Sequence, residues 1–173
     1  MTICIFFVSN APLFAQDFDA EDAYDRLSQP GEGWRIAESD LLREWSRSGS
    51  ASMDLLLRRG EQALDDGDIP TAIGHLTALT DHAPDFAAGW QARAAAYAAA
   101  GYYGPAAADL ARALDLQPRH FAALTQLGAM LEEMNDDDRA LTAYRESLKI
   151  HPHQQEAIDA VARLERRGQG IGI

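Results

Sequence analysis

Few residues in this 173-residue chain have the type and spacing that chemistry needs. His151 and His153 flank Pro152, and two imidazoles so spaced can chelate a metal ion, but a proline between them marks a turn at the surface. Asp136, Asp137 and Asp138 have the charge of a calcium loop without its alternating ligands or its closing glutamate. They read better as acids at a helix start, where the positive end of the helix dipole favours them. Ser46, Ser48, Ser50 and Ser52 have the composition of a loop and a helix cap. Cys4 has no histidine nearby to activate it. No nucleophile, base and orienting group recur at a usable spacing, so neither catalytic residues nor a cofactor nor a resident metal is expected, and the protein is read as a non-enzyme.

Composition narrows the remaining classes. The chain is 47% hydrophobic, enough to bury a core, and carries a net charge of −12. No segment clusters Lys and Arg, so nucleic acid and anionic membrane surfaces are disfavoured. No apolar run approaches the roughly 20 residues that cross a bilayer. Residues 3–8, Ile-Cys-Ile-Phe-Phe-Val, lead to Ala15 and then to an acidic stretch from Asp17. That order resembles the end of a signal peptide cleaved after Ala15, although no base precedes the run. Residues 1–15 are therefore expected to direct export to the periplasm or outside the cell; the alternative is a cytoplasmic protein with a hydrophobic tail.

The elements that must position any site follow from one period. Pro84, Pro118 and Pro152 lie 34 residues apart, as do Gly60, Ala94 and Gly128, and Ala72, Ala106 and Ala140. Gly67, Gly101 and Asn135 keep the same spacing. The two columns of small residues let a pair of antiparallel helices approach closely. Gly67, Gly101 and Asn135 are types that tolerate the left-handed conformation ending a helix. Pro70 and Pro105 follow, suited to the first turn of the next helix. Leu56, Trp90 and Leu124, then Ala63, Tyr97 and Leu131, then Leu76, Leu110 and Tyr144 fill the apolar columns.

This arrangement resembles the tetratricopeptide repeat (TPR), whose pattern is W-x2-L-G-x2-Y, then A-x3-F, then P. The second unit carries it best, in Trp90, Ala94, Tyr97, Ala106, Leu110, Ala113 and Pro118. Arg59 and Arg93 stand where the family usually has leucine, which leaves the local packing there open. The resemblance implies an all-α solenoid of three helix-turn-helix units, 53–86, 87–120 and 121–154. Residues 155–167 would form a capping helix with Ala157, Ile158, Val161 and Leu164 inward, and 168–173 a frayed tail. Residues 16–52 would form an N-terminal helical cap, with helices near Ala20–Leu27 and Ile36–Ser46. It would cover the first repeat or lie in the groove as a lid.

In the TPR family, positions two, five, nine, twelve and thirteen of each unit line the concave face. Carried onto this sequence they are Asp54, Leu57, Glu61, Leu64 and Asp65; Ala88, Gln91, Ala95, Ala98 and Ala99; and Ala122, Thr125, Ala129, Glu132 and Glu133. The resemblance implies a non-catalytic module that binds a partner protein or peptide there, with basic flanks to match the acids. The alternative is a structural or oligomerisation subunit using the N-terminal helices or the convex face. The bases with which some family members clamp acidic chaperone tails are replaced here by Leu57, Glu61, Ala92, Ala122 and Gln126. On that ground no acidic-tail clamp is expected.

Overall fold

A computed structural model describes residues 18–170; the export signal read at 1–15, Cys4 and the last three residues lie outside them. The described residues form helices and no strands: α1 (Ala20–Ser28), α2 (Gly33–Trp45), α3 (Ala51–Asp65), α4 (Ile69–His82), α5 (Ala87–Ala99), α6 (Tyr103–Leu116), α7 (Phe121–Glu133), α8 (Asp137–Ile150) and α9 (Gln155–Gly168). No helix among them is long and apolar enough to cross a membrane. Helices α3 to α8 pack as three antiparallel pairs, each stacked on the next, so the all-α solenoid implied by the repeat is the fold.

One turn occurs three times. Gly67, Gly101 and Asn135 adopt φ of 77°, 77° and 59°, the left-handed region. Each time the following N–H returns to a carbonyl five residues back: Asp68 to Ala63 at 2.8 Å, Tyr102 to Tyr97 at 2.8 Å, Asp136 to Leu131 at 2.9 Å. These bonds satisfy carbonyls that the helix end would otherwise leave bare. The next helix starts at once, capped by Asp68 Oδ1 on Thr71 N–H and by Asp136 Oδ1 on Arg139 N–H. The acids at 136–138 are thus the cap and first turn of α8.

Close approach follows from the small-residue columns. A Cβ on Gly60 would lie 2.4 Å from Leu76 Cγ, and one on Gly128 would lie 2.8 Å from the Tyr144 ring. Leu76 and Tyr144 fill the space that a side chain would need, and both are buried. Burying a leucine or a comparable side chain contributes about 2 kcal/mol. Arg93 does not disturb this packing. Its guanidinium forks onto Asp109 at 2.7 and 2.8 Å and bonds Thr80 Oγ1 at 2.7 Å, joining α4, α5 and α6. The Trp90 ring lies beside it, 4.8 Å from the guanidinium carbon.

The helix α9 closes the array with Ala157, Ala160 and Leu164 against Leu131 and Tyr144. Ile158, assigned to its inner stripe by sequence, is 38% exposed instead. The N-terminal helices differ more. They do not cover the first repeat, whose outer residues Arg58, Arg59 and Gln62 are exposed and polar enough to need no cover. The α1–α2 hairpin lies at the other end, along the edge where α7 and α9 begin. Tyr24, Leu27, Leu41 and Trp45 pack with Phe121, Ala122 and Ile150.

Three consequences can be measured by chemical denaturation. Gly60→Ala should destabilise the protein by about 1–3 kcal/mol, because Leu76 must move. Gly74→Ala, in the exposed middle of α4 with nothing within 4 Å of the new Cβ, should stabilise it by about 0.5–1 kcal/mol. Arg93→Leu alone should cost about 3 kcal/mol or more, since Asp109 is left buried and unpaired. Adding Asp109→Leu should recover most of that loss.

Candidate functional site

The concave side carries two adjoining hollows that share Ala129 and Glu133. The smaller, about 430 Å³, has an apolar lining of Ala95, Ala98, Tyr103, Leu110, Ala129 and Met130, with Gln126 and Glu133 as its polar members. The small side chains on α5 and α7 create the space, and Tyr103 and Leu110 from α6 reach into it. Gln126 is fixed by Gln91: the Gln91 amide donates to Gln126 Oε1 at 3.1 Å, and Gln126 Nε2 donates to the Gln91 carbonyl at 3.3 Å.

The larger hollow, about 860 Å³, is lined from α7, the start of α8, and α9. Glu132, Glu133, Asp137, Glu156 and Asp159 face two cations, Arg163 and Arg167. Arg163 forks onto Glu132 at 2.9 and 2.7 Å, while Arg167 bonds Glu132 at 3.3 Å and Asp137 at 2.9 Å. The Arg163 hydrogen bonds hold the Glu132 carboxyl below its ordinary range. Burial, reinforced by Glu132, pushes the Tyr144 hydroxyl up to about 12, so it stays a phenol. Among the described residues no three metal-ligating side chains converge.

The residues inferred from repeat positions separate into two groups. Ala95, Ala98, Ala129, Glu132 and Glu133 line the hollows, and Gln91 braces their rim through Gln126. The others stand apart. Leu57 is 2% exposed and belongs to the first repeat's core, where Leu64 packs beside it. Glu61, Asp65 and Ala99 are exposed outside both hollows, and Ala88 is buried. Asp54 is occupied by the linker before α3, accepting from Ser48 N–H at 2.7 Å and Ser48 Oγ at 2.6 Å. Ala122 is covered by the N-terminal hairpin. Thr125 is buried, its hydroxyl donating to Gln154 Oε1 at 2.9 Å and lying 2.9 Å from Ser147 Oγ.

Arg163, Arg167, Glu156 and Asp159 also line the larger hollow, although the sequence pattern marks α9 only as a cap. The signal was present: continuing the 34-residue register past residue 154 puts Glu156, Asp159, Arg163 and Arg167 at concave positions two, five, nine and thirteen of a fourth helix. His151 is a second correction. It is fully buried rather than exposed in a turn, covered by Trp34 and Phe121.

The Glu132 network predicts a pH signature. Its carboxyl is lowered on folding, so its contribution is present above the ordinary value of 4.5 and lost as pH falls through the folded value. Glu132→Gln should lower the Tm at pH 7, and the difference from the parent should shrink as the pH is taken below 4.5. Thermal melts across that range check it.

No family model matches the chain. A TPR repeat-containing protein of Rhizobium etli is 30% identical over 145 residues, covering 84% of this chain and 71% of that protein. The first TPR of Spaghetti, solved bound to the HSP90 peptide SRMEEVD, superposes with a TM-score of 0.66 at 22% identity, over 69% of this chain and 95% of that one. The TPR2B domain of yeast Sti1, solved in a pHsp70 complex, gives 0.63 at 19% identity, over 68% and 99%. These likenesses overturn the sequence-based exclusion of an acidic-tail clamp. That exclusion counted bases in three repeats only, and α9 brings Arg163 and Arg167 to the same concave side. With a relative at this identity and coverage, and with the repeat turn present three times, the chain belongs to the TPR repeat family.

Proposed function

We propose that this protein binds an extended or helical peptide segment of a partner protein along the concave side of α5, α7 and α9, and performs no chemistry of its own. The observation that carries the reading is the continuity of the two hollows through Ala129 and Glu133. An apolar side chain of the ligand would fill the space above Ala95 and Ala98, and its polar flank would run onto the charged side chains of α9. Gln91 and Gln126 offer amide groups to a peptide backbone. The Spaghetti and Sti1 complexes make peptides with acidic C-termini the first class to try, with Arg163 and Arg167 as their cations. Such a ligand would have to compete with Glu132 and Asp137 for those guanidiniums. Export, read from residues 3–15, would set where the partner is met.

The test is selection from a displayed peptide library that includes acidic C-termini, followed by calorimetry on the peptides obtained. Ala98→Trp fills the apolar hollow from a half-buried position. It should weaken binding at least tenfold while leaving the Tm unchanged. If Ala98→Trp binds as tightly as the parent, the groove reading fails. Loss of binding with Ile36→Lys instead would favour a subunit that associates through α2, where Ile36 is 61% exposed and Leu42 is 42% exposed.

A further inference from the structure

The hairpin α1–α2 meets the repeat array through histidines. Trp45 packs on His120 with ring centroids 4.2 Å apart and on Phe121 at 5.0 Å. Trp34 stacks on His153 at 5.1 Å and tilts against His151 at 5.4 Å. Three of the five histidines in the sequence therefore lie under one small element. Two of the three, His120 and His151, are almost completely buried.

Their chemistry differs. His120 Nδ1 accepts the Ala123 N–H at 3.3 Å and so caps α7. Nδ1 must keep its lone pair to do this, which places the ring proton on Nε2, itself buried without a partner. A second proton could go only onto Nδ1. It would break the cap and leave an unpaired charge beneath Trp45, whose ring face offsets only part of that cost. Its neighbour Arg119 is paired with Glu21 of α1 at 2.8 Å, so no free carboxylate is supplied from that side. Burial also holds the His151 imidazole below its ordinary value, but there Glu38 of α2, 3.3 Å from Nε2, would meet an imidazolium and opposes part of that cost. His153 bonds the Gln29 carbonyl at 3.0 Å, and a protonated ring would donate there.

We infer that α1–α2 is an acid-released strap: protonation of His120 undocks the hairpin from the array and uncovers Phe121 and Ala122, while α3 to α9 stay folded. The inference concerns docking alone and does not rest on the peptide-binding reading. Burial lowers the His120 imidazole from 6.5 to about 4 in the docked state. A lowered folded value means that docking is fully favoured above pH 6.5 and loses its advantage progressively as the pH falls towards about 4. Once undocked, the imidazolium is solvated, and α7 keeps its packing against α5, α6 and α8.

The experiment uses the full chain with Trp90→Phe, so that emission reports only Trp34 and Trp45, both in the strap contact. The emission maximum should move to longer wavelength between pH 6.5 and 4, while far-UV ellipticity falls by no more than the share of α1 and α2. His120→Asn keeps a capping oxygen that cannot titrate in this range, and should hold the short-wavelength emission to pH 4. An unchanged midpoint in His120→Asn, or collapse of all helicity together with the red shift, overturns the inference. A measurement without that variant gives the same decision: the His120 Cε1 proton resonance of the parent should titrate at the emission midpoint, and a mismatch overturns the strap.

Discussion

The structure depends on how closely the helices of each pair can approach. At Gly60 and Gly128 the facing Leu76 and Tyr144 occupy the volume of a missing side chain, and Ala94 keeps the same column small in the middle unit. A larger residue would push the pair apart and also tilt the next pair, because each pair stacks on the one before it. The groove inherits its shape from this: its floor of alanines on α5 and α7 is open only because α6 and α8 hold those helices from behind. Arg93, Asp109 and Thr80 fix the middle pair by hydrogen bonds, and in the third pair Ser147 Oγ donates to the Phe121 carbonyl at 2.8 Å and lies 2.9 Å from Thr125 Oγ1.

The repeat register was legible because it is carried by residues whose role is local. A left-handed glycine, a capping aspartate and a proline in a first turn act within a few bonds, so their positions announce the helices directly. The concave residues were legible only in part. Ala95, Ala98 and Ala129 line a hollow, yet Leu57 and Thr125, both at concave position five, are buried by their own surroundings. Position in a repeat gives the direction of a side chain; what stands in front of it comes from other helices. Tyr103 and Met130 enter the smaller hollow from outside the concave repeat positions, and no repeat pattern marks them.

The N-terminal helices were the least legible. Their amphipathic pattern shows that one face is covered, and Asp19 marks where α1 begins by accepting from Glu21 N–H and Asp22 N–H. Nothing in that pattern says which surface does the covering. The answer lies in Trp34 and Trp45, whose partners are the rings of His120, Phe121, His151 and His153. His151 and His153, flanking a proline, suggested a metal or an open turn, and are instead part of an aromatic contact.

That contact also sets an order of events during synthesis. The helix pairs close over short stretches of chain, whereas the Tyr24 hydroxyl meets Arg119 across 95 residues and His153 meets the Gln29 carbonyl across 124. Long loops close slowly and at greater entropic cost than neighbouring repeats. As the chain leaves the ribosome, the first two helices emerge well before the residues they rest on. Their tryptophans and leucines stay without a seat until the third repeat and the start of α9 have been made, so a segment synthesised before the repeats is packed only after them.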